Sequence, residues 1–136
     1  MRGRGAALAL VVIAVGASIV GCGHDDHGTY RVDGRVTWKG QPVPNGLIRF
    51  EPDASAGNKG PGAIAPIEQG RYATARGKGV VGGRYQVILS GYDGVPFESP
   101  GEGFLNTVGK PLFVNRVEEV DFPREPCTRD FDLTAP

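Results

Sequence analysis

The sequence is short of cysteine, histidine, excess charge and helical periodicity, and each shortage closes off a class of protein. Cys22 and Cys127 are the only cysteines, His24 and His27 the only histidines. Cys22 lies close to the N-terminus and Cys127 near the end, so no dense cysteine framework staples the fold and stability has to come from a packed core. Both histidines precede the first segment that reads as folded, which leaves the folded part without the imidazole of a Cys-His or Ser-His pair. Lys and Arg number 15 and Asp and Glu 15, so no basic surplus draws the chain to nucleic acid. No window repeats apolar residues at helical spacing over a useful length.

What the chain has instead is glycine, proline and alternation. Its 22 Gly and 11 Pro approach the level of a low-complexity chain, but alternating strands between them argue for folding. The stretch Tyr30 to Phe50 sets the pattern. Tyr30, Val32, Val36 and Trp38 share one parity and Arg31, Asp33, Arg35, Thr37 and Lys39 the other, which gives a strand one apolar and one wet face. Gly34 falls on the apolar face and requires a bulge or a close crossing. Gly40 to Gly46 punctuates, and a second strand puts Ile48 and Phe50 inward with Arg49 outward before Pro52.

Further along, Asp53 to Pro66 reads as a surface loop, Ile64 and Ile67 bracket a short strand, and Glu68 to Tyr72 is a turn feeding another. Gly77 to Gly83 reads as a flexible turn, and Arg84 to Ser90 as a strand with Tyr85, Val87 and Leu89 on one face. Leu112 to Val117 and Val120 to Phe122 are strand-like, with a bulge or turn expected at Glu118-Glu119, and Phe131 and Leu133 mark a final strand. Many short strands separated by turns predict an all-β fold, a small antiparallel β-sandwich of about seven strands.

The N-terminus reads differently. Arg2 and Arg4 precede the apolar run Ala6 to Val20, which is too short for a confident membrane span and has the layout of a secretion signal. Its end, Ile19-Val20-Gly21-Cys22, resembles the bacterial lipoprotein lipobox. That resemblance implies cleavage before Cys22, diacylglycerol on its thiol, and stable anchoring where its new amine is acylated too. The expected organisation is a signal peptide at residues 1–21, a polar tether at 22–29 and a β-sandwich at 30–136, in a protein exported and held on a bacterial membrane, at its periplasmic or outer-surface face.

The blocks Val32-Asp-Gly-Arg-Val36-Thr, Gly40-Gln-Pro-Val43-Pro-Asn-Gly46, Ile48-Arg-Phe50-Glu-Pro52, Gly70-Arg-Tyr72, Gly83-Arg-Tyr85-Gln-Val87 and Asp130-Phe-Asp-Leu133 together resemble the carboxypeptidase regulatory-like, transthyretin-like (prealbumin-like) domain. The likeness is to the short lipoproteins of that type in planctomycete-type bacteria. It implies a structural or interaction module and no activity. Hydroxyisourate hydrolases share the fold type, but they carry His and Arg in the folded core and a terminal Tyr-Arg-Gly-Ser, whereas this chain ends Asp132-Leu-Thr-Ala-Pro136. A hydrolase is therefore a remote alternative.

Several motifs offer sharper chemistry. Gly77-Lys-Gly79-Val-Val-Gly82 matches the dinucleotide fingerprint, but a strand follows where the fingerprint requires a helix. His24 and His27 flank two aspartates and are weak metal candidates in a tether; acylation of Cys22 would remove the amine that a square-planar site at His24 needs. Asp93, Glu98 and Glu102 lack the dense spacing of a calcium loop. The Gly- and Pro-rich stretch from Gly91 to Pro111 is long for a connection and holds Tyr92, Phe97 and Phe104, which makes these three the candidate contact residues. The expected function is a lipid-anchored, non-enzymatic envelope module without cofactor, its partners the membrane and an envelope protein or glycan. The alternative is a carbohydrate- or peptide-binding module working through residues 91–111.

Overall fold

A computed structural model of the chain describes residues 28–134. It is all-β. The strands are β1 (Val32–Trp38), β2 (Gln41–Pro42), β3 (Asn45–Pro52), β4 (Ala63–Glu68), β5 (Arg71–Ala73), β6 (Gly83–Tyr92), β7 (Phe97–Glu98), β8 (Leu105–Asn106), β9 (Pro111–Phe122), β10 (Cys127–Thr128) and β11 (Phe131–Leu133). A short 3-10 turn at Ala54–Ala56 is the one helical element described. One sheet runs β10-β1-β5-β4-β3-β6-β9, with β2 and β11 also on β1, while β7 and β8 pair only with each other. Pairing is antiparallel except where β10 and β11 lie parallel to β1.

Alternation decides which side chains face inward. Val32 and Val36 of β1, Ile48 and Phe50 of β3, and Tyr85, Val87 and Leu89 of β6 are buried, while Arg35, Arg49 and Gln86 between them are exposed. Each such aliphatic or aromatic side chain removed from water contributes roughly 1.5–3 kcal/mol. The sheet is curled, and its aromatic contacts show how far. Trp38 of β1 and Phe113 of β9 lie near opposite ends of the strand order, yet their rings are 5.0 Å apart. A chain of rings crosses the rest of the core: Phe131 to Tyr72 at 6.0 Å, Tyr72 to Phe50 at 6.0 Å, Phe50 to Phe122 at 5.8 Å and Phe122 to Tyr85 at 5.6 Å.

Gly34 has the close crossing that its place on the apolar face demands. A Cβ there would stand 2.0 Å from the carbonyl oxygen of Arg129, where the link between β10 and β11 passes beneath β1. Tyr72 fixes that link by donating its hydroxyl to the same oxygen at 2.5 Å. The Gln69-Gly70 turn between β4 and β5 has both residues at positive φ, 51° and 75°, the two-residue geometry that matches strand twist.

Four readings of the sequence are corrected. β9 runs unbroken through Glu118-Glu119, and its irregularity lies where it crosses the end of β6, between the Leu89↔Arg116 and Gly91↔Phe113 pairs. Asn115 there has φ 52° and donates its N–H to Ser90 Oγ at 3.0 Å. The extra residue lets Phe113 and Val120, of opposite parity, both face the core. Gly77 to Gly83 is no loose turn: Val80 is buried, and Tyr30 and Val80 exchange backbone hydrogen bonds of 2.6 and 2.9 Å. The loop from Asp53 ends before Ala63 rather than at Pro66, because the short strand expected around Ile64 and Ile67 is present as β4. The stretch 91–111 is not structureless, since Tyr92 closes β6 and β7 and β8 form a hairpin.

Candidate functional site

The β7–β8 hairpin is an arm with a braced base and exposed apolar side chains. At the base, Asp93 Oδ1 accepts the N–H groups of Val95 and Lys110, both at 2.9 Å, and Asn106 Oδ1 accepts those of Val108 at 2.9 Å and Gly109 at 3.2 Å. Backbone bonds from Asp93 N–H to Lys110 O and from Gly94 N–H to Val108 O close the ring. A two-stranded hairpin alone is marginal in water; these bonds close its base where it leaves the ends of β6 and β9. On this base Val95 is 61% exposed, and farther out Leu105 is 61% and Phe104 73% exposed.

The three aromatics anticipated in this stretch have different places. Tyr92 is half-buried in β6, paired with Asn45 and Pro111. Phe97 is half-buried, with Lys110 Nζ 5.9 Å from its ring centre. Phe104 stands in solvent. No ring contact joins them among the described residues, so the candidate surface is the exposed apolar part of the arm, from base to β8, rather than a three-ring cage. Val95, Leu105 and Val108 belong to it and carry no periodic signal, because each strand of the hairpin is only two residues long. Asp93, one of the three weak cation candidates, is instead spent on the brace.

The body carries a second exposed apolar surface. Ile64, Arg49, Ile88 and Val117 form one cross-strand row on the outside of β4, β3, β6 and β9, and Pro66 and Leu47 begin the next. Ile64, Leu47 and Val117 are all exposed. A cleft of about 550 Å³ lies beside this row, lined by Thr29, Phe50, Glu51 and Ile64 among others. The described chain thus begins near the C-terminal end of β3. The arm's base is at the other end, where a Cβ on Gly94 would meet Pro44 at 3.0 Å.

The titratable groups with altered behaviour serve the fold. Burial pushes the Tyr72 hydroxyl well above the ordinary tyrosine range, with Cys127 and Asp130 adding to the effect. Burial also pushes up the half-buried Cys127 thiol, followed by the charges of Asp33 and Glu125, which opposes formation of a reactive thiolate. The Ser55 hydroxyl holds the Asp53 carboxyl below its usual range while Asp53 caps the 3-10 turn. Among the described residues, no group of three or more His, Cys, Asp or Glu is placed to hold a metal ion, and no helix is long and apolar enough to cross a membrane. Cys22, His24 and His27 lie outside the described residues.

No protein-family model, curated protein or solved structure matches this chain.

Proposed function

We propose that this chain is an exported, lipid-anchored and non-enzymatic protein of the cell envelope, a transthyretin-like β-sandwich that presents the β7–β8 arm to another envelope protein. The observation that carries this reading is positional. The incoming chain and the arm lie at opposite ends of β3, a strand of 8 residues that spans about 23 Å at ~3.3 Å per residue. A lipid on Cys22 would hold the first end at the membrane and turn the second toward the periplasm or the exterior. Phe104, Leu105 and Val95 would then face a partner rather than the bilayer. The sandwich reading draws its support from the curled sheet and from the Trp38 to Phe113 contact, which brings distant strands over one core.

Two variants test the two halves of this proposal. Cys22→Ala should move the protein from the membrane fraction to the soluble one without changing its melting transition. Removal of Gly94 to Gly109 should abolish crosslinking to a partner in native membranes while the body stays folded. Retention of the first variant on membranes, or unchanged crosslinks from the second, would contradict the corresponding half.

One specific feature favours a second reading, in which the arm binds a carbohydrate or a peptide. An exposed ring such as Phe104 offers a face for stacking. Under that reading a soluble glycan or peptide, rather than a membrane protein, competes for the arm and protects Phe104 from chemical footprinting.

A further inference from the structure

The wet face of β1 holds a feature that the arm does not explain. Arg35 of β1 and Arg71 of β5 are direct cross-strand partners. Thr74 N–H donates to Val32 O and Val36 N–H to Gly70 O, each at 2.9 Å, so the even positions of β1 are its hydrogen-bonded pairs. Arg35 and Arg71 therefore meet at a non-hydrogen-bonded pair, where Cα atoms approach to about 4.5 Å and side chains come closest. Like charges placed this way destabilise a sheet. Neither guanidinium forms an ion pair with a described residue.

The acids nearby are mostly committed elsewhere. Asp130 Oδ1 accepts the backbone N–H of Arg35 at 2.9 Å, and Asp33 Oδ1 accepts the Thr128 hydroxyl at 2.8 Å while its other oxygen lies 3.7 Å from Arg31 Nε. Glu68 faces Arg71 across the Gln69-Gly70 turn without pairing with it. These groups border an open groove of about 720 Å³ floored by Gly34, Tyr72 and Ala73. Two adjacent planar forks with free donors match the oxygens of one carboxylate or phosphate, each guanidinium donating two hydrogen bonds.

We propose that Arg35 and Arg71 form a clamp for an oxyanion group, carboxylate or phosphate, of a ligand that lies in this groove. Glu68 would accept a hydroxyl of the same ligand and set its direction. Binding would also relieve the repulsion stored between the two arginines, so the free protein carries a strain that the ligand removes.

The test is titration of the purified full chain with a trigalacturonate, which presents carboxylates and hydroxyls, and separately with inorganic phosphate, each against sodium chloride at matched ionic strength. Calorimetry and the melting midpoint are read together. Saturable binding that raises the midpoint is expected for at least one probe, and which probe binds assigns the oxyanion as carboxylate or phosphate. Arg35→Gln and Arg71→Gln should each weaken it at least about tenfold, the loss of charge-assisted hydrogen bonds, and should melt no lower than the parent when free. Arg71→Lys, which keeps the charge and loses the fork, should also bind more weakly, whereas Arg84→Gln, on β6 and outside the groove, should change little. No saturable response to either probe, or a response that survives in both glutamine variants, overturns the proposal.

Discussion

Strand β6 and the β7–β8 arm follow one another along the chain and treat apolar side chains in opposite ways. In β6, Tyr85, Val87 and Leu89 alternate with exposed or half-exposed positions and are buried. In the arm, Val95, Phe104 and Leu105 stand in water on a hairpin whose base is fixed by Asp93 and Asn106. Burial explains the first set of residues completely. The second set gains little stability from its exposed position, while several hydrogen bonds fix the base that carries it, and the proposed contact surface rests on that contrast.

The contrast is sharpest in substitutions of matched size. Leu89→Ala should lower stability by about 2–5 kcal/mol, the range for a large-to-small change in a packed core. Leu105→Ala should stay within about 0.5 kcal/mol of the parent, as exposed substitutions usually do. Denaturant melts of the two variants measure the difference, and similar losses from both would break the comparison. Gly34→Ala comes next, since its methyl would meet backbone at Arg129 rather than a yielding side chain. Overpacking of this kind typically costs about 1–3 kcal/mol, and Val36→Ala should fall in a similar range of roughly 1–3 kcal/mol.

A smaller effect separates the body from the arm by pH. Tyr72 is buried and its hydroxyl titrates higher in the folded chain than in the unfolded one. The folded state therefore holds that proton more tightly. The resulting stability is complete below the unfolded tyrosine value, about pH 10, and is lost as pH rises above it through the folded value. Melting midpoints followed into that alkaline range should fall for the parent and fall less steeply for Tyr72→Phe. The variant should also lose about 1 kcal/mol at neutral pH with its hydrogen bond to Arg129. Smallest of all, Cys127 should react slowly with thiol reagents at neutral pH in the folded protein and faster once unfolded. Rapid labelling of the native chain would contradict the burial assigned to it.

Much of the body was legible because strands with a buried face write a period of two into the sequence. The faces of β1, β3, β6 and β11 follow directly from Val32 and Val36, Ile48 and Phe50, Tyr85 to Leu89, and Phe131 and Leu133. Gly34 announced a close crossing, though not that the Arg129 carbonyl would make it. The bulge was misplaced for a physical reason: Glu118-Glu119 looks like a break, yet Glu118 is only half-buried opposite Val87 and the strand passes through it. The real signal was the change of parity between Phe113 and Val120, which requires an inserted residue somewhere between them. Val80 was hidden by the glycines around it, because Gly79 is needed for close approach: a Cβ there would lie 1.8 Å from Tyr30 O.

The candidate site was legible only in part. Length and aromatic content marked residues 91–111, but two-residue strands carry no period from which Val95, Leu105 and Val108 could be assigned to one surface. The Arg35 and Arg71 pair was beyond sequence reasoning altogether, since they are neighbours only through the register of β1 with β5.

The central claim is that the arm, and not the body, meets the partner. A photoreactive amino acid placed singly at Phe104 and at Val117, with crosslinking in native membranes, tests it most directly. The account predicts a discrete protein adduct from position 104 and none from 117. An adduct from 117 alone would move the contact to the outer sheet face and leave the arm without the role assigned to it.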